Sequence, residues 1–457
     1  MTESLTAETL LPYFERAKTA QMHWQALGAK KRANFISLLR ETLLNHADDL
    51  VVFLSDQTGK PLFEVLSTDL LPAAEMLDYY SKHAPRLLKD RHPHSGLLKF
   101  KKNTLNYWPL GVVTVLSSSR NSFFLPLTQI MLALAAGNAV LFKPSLKRAA
   151  VGLRIQEVFD EAGFPPHLLQ TIVGDAGTGA LLVAQKPAKI FFSGHAEAAK
   201  RVLVDAAKTL VPVSMEISGK EALLVLPDAD LDLATSAVLW GACSQATRLN
   251  GPIELVLAHE RIVSPFLALL EEKTKKTHPD LTQNLKILTG EQGTSFNFLS
   301  EKSANPTLTI QTFRSVSDAV HKANQNQHGV VVSVMTRNLR LGGQIARQLE
   351  VGAVMINDVS YSGGPRETTW GGIKETRLAK TRCGTGLSEY VNVRHIHQPR
   401  SSLFVFKALW WFPYSPFQFA VFRTFLDLFR QHWTDRLRAF PLFLWNLVQL
   451  FKNEKRL

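Results

Sequence analysis

Through the first ninety residues apolar side chains recur at helical spacing, most clearly from Leu27 to Leu44, with basic residues between them. Residues 85–109 break that rhythm. They are polar, include His92-Pro-His, and alternate in Leu105-Asn-Tyr-Trp-Pro109, which predicts an extended arm or hairpin. From Leu110 onwards short apolar runs alternate with longer periodic ones. Gly111-Val-Val-Thr-Val-Leu116 reads as a buried strand, Pro126–Ala136 as a helix, Ala139-Val-Leu-Phe142 as a strand, and Ala149–Ala162 as a helix ended by Gly163. Leu169–Val173 and Lys189–Phe192 are further strands. A second unit follows Lys220, with strands Ala222–Leu226 and Leu255–Ala258 and helices Leu233–Gln245 and Val263–Lys273. Residues 274–305 are polar and poorly patterned. Thr307–Phe313, Val316–Asn324, Gly329–Met335 and Gly352–Asn357 then restore the alternation. Strands alternating with helices predict parallel sheets covered on both faces.

The length of 457 residues allows about three domains with sizeable cores. Apolar residues make up 46% and charged residues 20%, an ordinary globular balance. Cys243 and Cys383 are too few for a disulfide framework, and a cytoplasmic location is expected. The acidic start Met1-Thr-Glu-Ser-Leu-Thr-Ala-Glu lacks the basic and apolar regions of a signal peptide. No apolar run is long enough for a membrane span. The net charge of +13 fits nucleic acid, anionic lipid or plain solubility. Zinc-ligand spacing and RNA-binding signatures are missing, so no nucleic-acid partner is expected.

That charge is unevenly spread. Residues 401–457 hold eight Lys/Arg against three acids, four of the eight tryptophans and eleven of the 27 phenylalanines. Phe412-Pro-Tyr-Ser-Pro-Phe417 leads into Phe422, Phe425, Leu426 and Phe429 at helical spacing, with Arg423, Asp427 and Arg430 opposite. After a break expected near Pro441, Leu442–Phe451 is followed by Lys452, Lys455 and Arg456. Aromatic residues with basic flanks suit an anionic membrane surface, so peripheral membrane contact through 401–457 is expected. The competing reading is that these helices cap the protein's own core or a dimer groove.

Several motifs in one order resemble the NAD(P)-dependent aldehyde dehydrogenase superfamily over residues 10–395, leaning towards its short, fatty-aldehyde branch. They are Trp108-Pro-Leu-Gly-Val-Val113, Ala135-Ala-Gly-Asn-Ala-Val-Leu-Phe-Lys-Pro-Ser145, Phe191-Phe-Ser-Gly-His195, Met215-Glu-Ile-Ser-Gly-Lys220 and Asp228-Ala-Asp-Leu-Asp-Leu-Ala234. The resemblance implies an α/β fold with a Rossmann-type cofactor domain, a second α/β catalytic domain and an oligomerisation arm. The expected boundaries are a helical part at 1–84 and an arm at 85–108. The cofactor domain would span 109–220 and a shortened catalytic-type domain 221–385. An arm strand at 386–400 and the tail at 401–457 complete the chain. A homodimer, or pairing with a paralogue, is expected through the arm.

By the same resemblance, NAD or NADP is the cofactor and an aldehyde the ligand. Lys143 and Ser145 stand in the Lys-Pro-Ser motif whose lysine binds the adenosine ribose; the glutamate that follows in the family is Leu146 here. Gly174 and Gly177, in Gly174-Asp-Ala-Gly-Thr-Gly179, lie between a strand and a helix, where free N–H groups can face a pyrophosphate. Ser193, Gly194 and His195 form the phosphate turn, with His195 at the family's serine position. The alternative is that these glycines only make tight turns. Lys302 stands where a glutamate holds the nicotinamide ribose, and reverses its charge.

The chemistry departs further. In the family a cysteine thiolate attacks the aldehyde, an asparagine amide stabilises the oxyanion, and a glutamate activates water. Glu216 matches the glutamate. The nucleophile's place, in Trp240-Gly-Ala-Cys-Ser-Gln-Ala-Thr-Arg-Leu-Asn250, is Asn250, whose amide nitrogen has a delocalised lone pair. The oxyanion asparagine aligns ungapped with Arg120, while Asn121 serves if the turn shifts by one residue. Cys243 lies seven residues before Asn250, roughly 10 Å away along a helix axis, and reads better as a core residue. The expectation is a degenerate homologue without thiol-mediated aldehyde oxidation. The rival is an active enzyme on long-chain aldehydes in which Glu216 directs water and no covalent intermediate forms.

Overall fold

Thr6 starts the first helix, Ala7–Ala26, by a reciprocal capping pair with Thr9. Helices Gly28–Asn45, Ala47–Thr58 and Leu71–Leu87 follow, so the helical reading of the N-terminal ninety residues holds. A π-helical turn, Leu66–Leu70, leads directly into the last of them. The computed structural model describes residues 6–96, 101–217, 219, 221–244, 252–277, 285–290, 293–298, 307–359, 367–376, 378, 383–404, 411–412 and 414–454.

Two compact units result: residues 1–90 with 106–394, and residues 91–105 with 395–457. Strand β1 (Lys101–Pro109) runs from the second unit into the first. In the first unit β2 (Val112–Leu116), β3 (Ala139–Lys143), β4 (Leu169–Thr171), β5 (Lys189–Gly194) and β6 (Val213–Ile217) build a parallel sheet in the order β4-β3-β2-β5-β6. The winding reverses between β2 and β5, a topological switch point whose crevice lies beyond the strands' carboxyl ends.

The second sheet uses β7 (Glu221–Val225), β8 (Ile253–His259), β9 (Leu285–Gly290), β10 (Gly293–Phe298) and β11 (Thr307–Phe313). The two-residue β12 (His328–Gly329) lies outside it, and β13 (Val331–Met335) and β14 (Ala353–Ile356) complete it. Its order is β14-β13-β7-β8-β11-β10-β9. β10 alone runs against the other strands, antiparallel to β9 on one side and β11 on the other. β9 and β10 correct the sequence reading, which left 274–305 unpatterned. Leu285, Ile287 and Leu288 are the only apolar residues of Leu285–Gly290, too short a signal inside a polar stretch. Further on, β15 (Ile373–Lys374) pairs with β12, and β16 (Val391–Pro399) pairs with β1 as a two-stranded ribbon. The partner of β1 is thus not a neighbouring strand but one almost 300 residues further along the chain.

The core of the first sheet is organised by the helix Phe124–Ala136, all of whose thirteen residues are buried. A helix buried on every face needs its terminal carbonyls satisfied by protein. Trp24 Nε1 donates to Leu134 O at 2.7 Å, Arg32 Nε to Ala135 O at 3.1 Å, and Gln21 Nε2 to Gly137 O at 2.9 Å. Burial lowers the Arg32 pKa to about 10. Gly137 ends the helix at φ +100°, a conformation that favours glycine.

In the second unit, helices Pro416–Asp427 and Trp433–Glu454 pack as a pair, with Phe425 against Phe443 at 5.3 Å between ring centroids. The break expected at Pro441 does not occur. The helix runs through the proline, and the chain turns at 428–432 instead. A proline there forfeits one hydrogen bond, a cost of about 3 kcal/mol that a 22-residue helix packed on a partner absorbs. Among the described residues no helix is long and apolar enough to cross a membrane.

Candidate functional site

The strand ends at the switch point carry hydroxyls. Beyond β2 come Ser117 and Ser118; β5 ends in Ser193 and Gly194. Ser118 N donates to Ser193 Oγ at 3.2 Å, tying the two strand ends together. Ser117 N donates to Lys143 O at 3.1 Å, but its buried Oγ has no partner among the described residues. A buried hydroxyl without a partner costs free energy unless a ligand or water satisfies it.

Glu216 sits on β6 directly opposite Ser193 in register and is half-buried. It lines a narrow cleft with Ser118, Asn121, Ser193, Gly194 and Met215. The far wall is Val330, Trp370, Gly371 and Gly372. Trp370 packs against Val330 and Val331, so the aromatic in the Thr369-Trp-Gly-Gly372 turn is a buried wall. Gly371 has φ +145°, and a Cβ on Gly352 would stand 2.1 Å from its carbonyl oxygen. That backbone contact requires glycine at 352 and fixes the turn against the second sheet.

Arg120 and Asn121 differ in burial. Arg120 is exposed and absent from the cleft lining, whereas Asn121 is buried and lines it. Asn121 Oδ1 accepts a hydrogen bond from Leu125 N at 3.1 Å, which helps start the buried helix. Its Nδ2 donors are left without a partner among the described residues. Of the two candidates, Asn121 is therefore the one that faces the cleft. A guanidinium would have to be desolvated to enter the cleft, while a short amide enters and also caps the helix.

The adenosine end is arranged differently from expectation. Lys143 ends β3, is buried, and donates from Nζ to Pro144 O at 3.2 Å. Burial lowers its pKa, against the attraction of Asp175. Ser145 is half-buried and starts the short turn Leu146–Arg148, accepting from Arg148 N at 2.9 Å. Leu146 itself is exposed. Gly174 and Gly177 flank Asp175, whose Oδ1 accepts from Thr178 N at 3.0 Å and Thr178 Oγ1 at 3.3 Å. These hydrogen bonds from N–H groups hold the Asp175 carboxyl below its ordinary pKa. The helix that follows, Ala176–Ala184, is capped by this carboxylate at the Thr178 N–H. The next helix, Ala196–Ala207, begins at His195 with no side-chain cap. His195 is exposed, on the rim rather than in the cleft.

Asn250 and Lys302 lie outside the described residues. Cys243 ends the helix Leu231–Cys243, is half-buried, and is not among the cleft residues. Cys383 begins the helix Cys383–Ser388. Among the described residues no three His, Cys, Asp or Glu side chains converge as a metal site. Sequence reasoning missed Ser117 and Ser118. Their signal was the run Ser117-Ser-Ser directly after a five-residue apolar strand.

Behind the cleft Tyr390 anchors the returning chain. It is fully buried, donates from its hydroxyl to Gln129 Oε1 at 2.7 Å, and accepts from Asn138 Nδ2 at 2.8 Å through its carbonyl. Beside it Lys189 pairs with Glu389 at 2.6 Å. Burial raises the Tyr390 pKa well above 10. A phenol raised in the folded state contributes stability below its unfolded pKa of about 10, and this is lost as pH rises above that value. Denaturation curves between pH 9 and 11 should show that decline, and Tyr390→Phe should flatten it. At pH 8 the variant should lose about 1–3 kcal/mol through the orphaned Gln129 oxygen. An unchanged alkaline slope would mean that Tyr390 is not the group responsible.

The sequence profile of the Aldehyde dehydrogenase family matches residues 2–286 and 295–396. A 4,4'-diapolycopene aldehyde oxidase from a Methylomonas species is 28% identical over 496 residues, covering 97% of this chain and 93% of its own. Among solved structures, betaine aldehyde dehydrogenase from Staphylococcus aureus in complex with NAD+ superposes with a TM-score of 0.78 at 21% identity, covering 90% of each chain. The NADP-dependent glyceraldehyde-3-phosphate dehydrogenase from Bacillus halodurans C-125, complexed with NADP, gives 0.76 at 22% identity over 87% of this chain and 92% of its own.

Proposed function

Because the chain belongs to the aldehyde dehydrogenase family, we propose that it is a degenerate member that keeps the dinucleotide scaffold and has lost thiol-mediated aldehyde oxidation. The observation that carries this reading is Asn250 in the nucleophile's place. No cysteine occurs among the described residues of the cleft. Glu216 and Asn121 line that cleft, so a base and an amide remain where the attacking atom does not.

The residues at the switch point fit NAD or NADP in part. The unpartnered Ser117 hydroxyl and the uncapped start of Ala196–Ala207 are complementary to ribose and phosphate oxygens. Lys143, Ser145, Ser193, Gly194 and His195 would hold the dinucleotide, and Gly174 and Gly177 would only shape the turn capped by Asp175. When bound, the cofactor supplies a hydride acceptor. The solved relatives in complex with NAD+ and NADP favour this ligand class.

A second reading keeps catalysis, favoured by the shared cleft of Glu216 and Asn121 and by the aldehyde named for the relative at 28% identity. Glu216 would take a proton from water and Asn121 Nδ2 would donate to the aldehyde oxygen, without a covalent intermediate. Calorimetry with NAD and NADP, followed by absorbance at the reduced-nicotinamide band with aldehydes of several chain lengths, separates these readings. The degenerate reading expects dinucleotide binding without aldehyde-dependent reduction. Turnover that disappears in Glu216→Gln would establish the second reading, and no heat with either dinucleotide would remove the cofactor.

A further inference from the structure

The second unit is chemically unlike the first. Residues 91–105 and 395–457 carry 13 Lys/Arg against three acids, so +10 of the chain's net +13 resides in 78 of its 457 residues. Five of the 14 histidines also lie there. The same unit holds 17 of the 35 exposed large apolar side chains among the described residues. Charge and exposed hydrocarbon are therefore concentrated together, while the remainder of the chain is nearly neutral.

The exposed apolar groups are ordered. On the helix Pro416–Asp427, Val421, Thr424 and Gln418 are buried against the paired helix. Phe419, Phe422, Leu426 and Phe429 are exposed and follow each other at intervals of three or four residues. On Trp433–Glu454 the exposed stripe is Trp433, Leu437, Phe440, Leu444 and Val448. The helix pair thus satisfies itself with one face of each helix and leaves a second apolar stripe on each uncovered. Soluble surfaces rarely carry such contiguous patches without a partner.

Basic groups border the stripes. Arg423 and Arg430 share the single carboxylate of Asp427, at 3.1 and 2.9 Å, leaving an excess positive charge beside the phenylalanines. Arg438, Arg436 and Lys452 lie on the longer helix. Lys101 starts β1 and Arg400 follows β16, and Arg400 Nε donates to Lys101 O at 3.3 Å.

We propose that this unit docks on an anionic lipid surface, with the two stripes in the headgroup–acyl boundary and the arginines and lysines on lipid phosphates and carboxylates. Charge selects the occupant. A second copy would bring a further +10 against the same face, so apolar self-association would work against like-charge repulsion. An anionic bilayer offers the opposite sign together with hydrocarbon, and aromatic side chains with basic neighbours favour that boundary. The contact is interfacial, because no described helix is long and apolar enough to span. The surface lies on residues separate from the cleft, so its test does not depend on the dinucleotide reading.

The full chain is incubated with phosphatidylcholine vesicles and with vesicles containing 30 mol% phosphatidylserine, then floated. Preferential flotation with the anionic vesicles is expected, at least about tenfold over the neutral ones, falling steeply between 0.1 and 0.5 M salt. Phe440→Asp/Leu444→Asp should lose that binding at least tenfold with unchanged circular dichroism. Should this pair unfold the helices, Arg438→Glu/Lys452→Glu changes only exposed charges and should show the same loss. Equal recovery with both lipids, salt-independent recovery, or no flotation overturns the proposal. So does a wild-type oligomer that dissociates in Phe440→Asp/Leu444→Asp, which would make the stripes a subunit interface.

Discussion

Asp69→Ala is expected to destabilise the protein by about 3–5 kcal/mol, with Tm lowered by on the order of 10 °C. Lys60 and Asp69 pair at 2.5 Å with side chains only 4% exposed, between the helix Ala47–Thr58 and the π-helical turn Leu66–Leu70. Thr68 Oγ1 also donates to Asp69 Oδ2, at 3.3 Å. Removing the carboxylate strands a buried ammonium, and that desolvation, rather than the lost attraction, is the dominant cost. Lys60→Met/Asp69→Leu removes both charges at similar volume and should recover most of the loss. Chemical denaturation of the two singles and the double gives the coupling directly. If Asp69→Ala costs under 1 kcal/mol, water reaches the ammonium and the pair is not the lock described.

The sequence made the sheets legible where side chains are buried on both faces. Val112–Leu116 and Val331–Met335 are apolar runs with a single hydroxyl residue each, Thr114 and Ser333, and fold as internal strands buried throughout. Residues 285–298 gave no such run, because an antiparallel pair at the edge of a sheet needs only alternation. Pro441 misled because propensity weighs one residue, whereas helix pairing acts along 22. At the site, motif order located Glu216, Ser193 and Gly194 in one cleft. Alignment by count favoured Arg120 over Asn121, since a one-residue shift of a turn leaves no trace in composition. The capping of Ala176–Ala184 by Asp175 was equally hidden: the sequence shows an acid near a glycine loop, and only hydrogen-bond geometry shows which N–H groups it occupies. The concentration of charge in the second unit was visible in the tail, but residues 91–105 joined it only through the fold.

Asn250→Cys is expected to add a third thiol to the chain's two and still fail to restore aldehyde oxidation. Loss of a nucleophile alone costs on the order of 10⁶-fold in a covalent mechanism, so a lesion confined to that position would be largely reversed by this change. The departures are not confined to it. By the family resemblance, Leu146 and Lys302 stand where glutamates are directed at the two riboses, so the cofactor's placement is expected to be weakened as well. Such losses act on the same reacting geometry and compound. Iodoacetamide labelling should therefore show the new thiol, while aldehyde-dependent reduction of NAD or NADP stays within about tenfold of the parent. Adding Leu146→Glu and Lys302→Glu to Asn250→Cys should then raise the rate by more than about 100-fold over the single change. A burst of one reduced nicotinamide per subunit from Asn250→Cys alone would contradict this, and would mark the cleft of Glu216 and Asn121 as an intact site lacking one atom group.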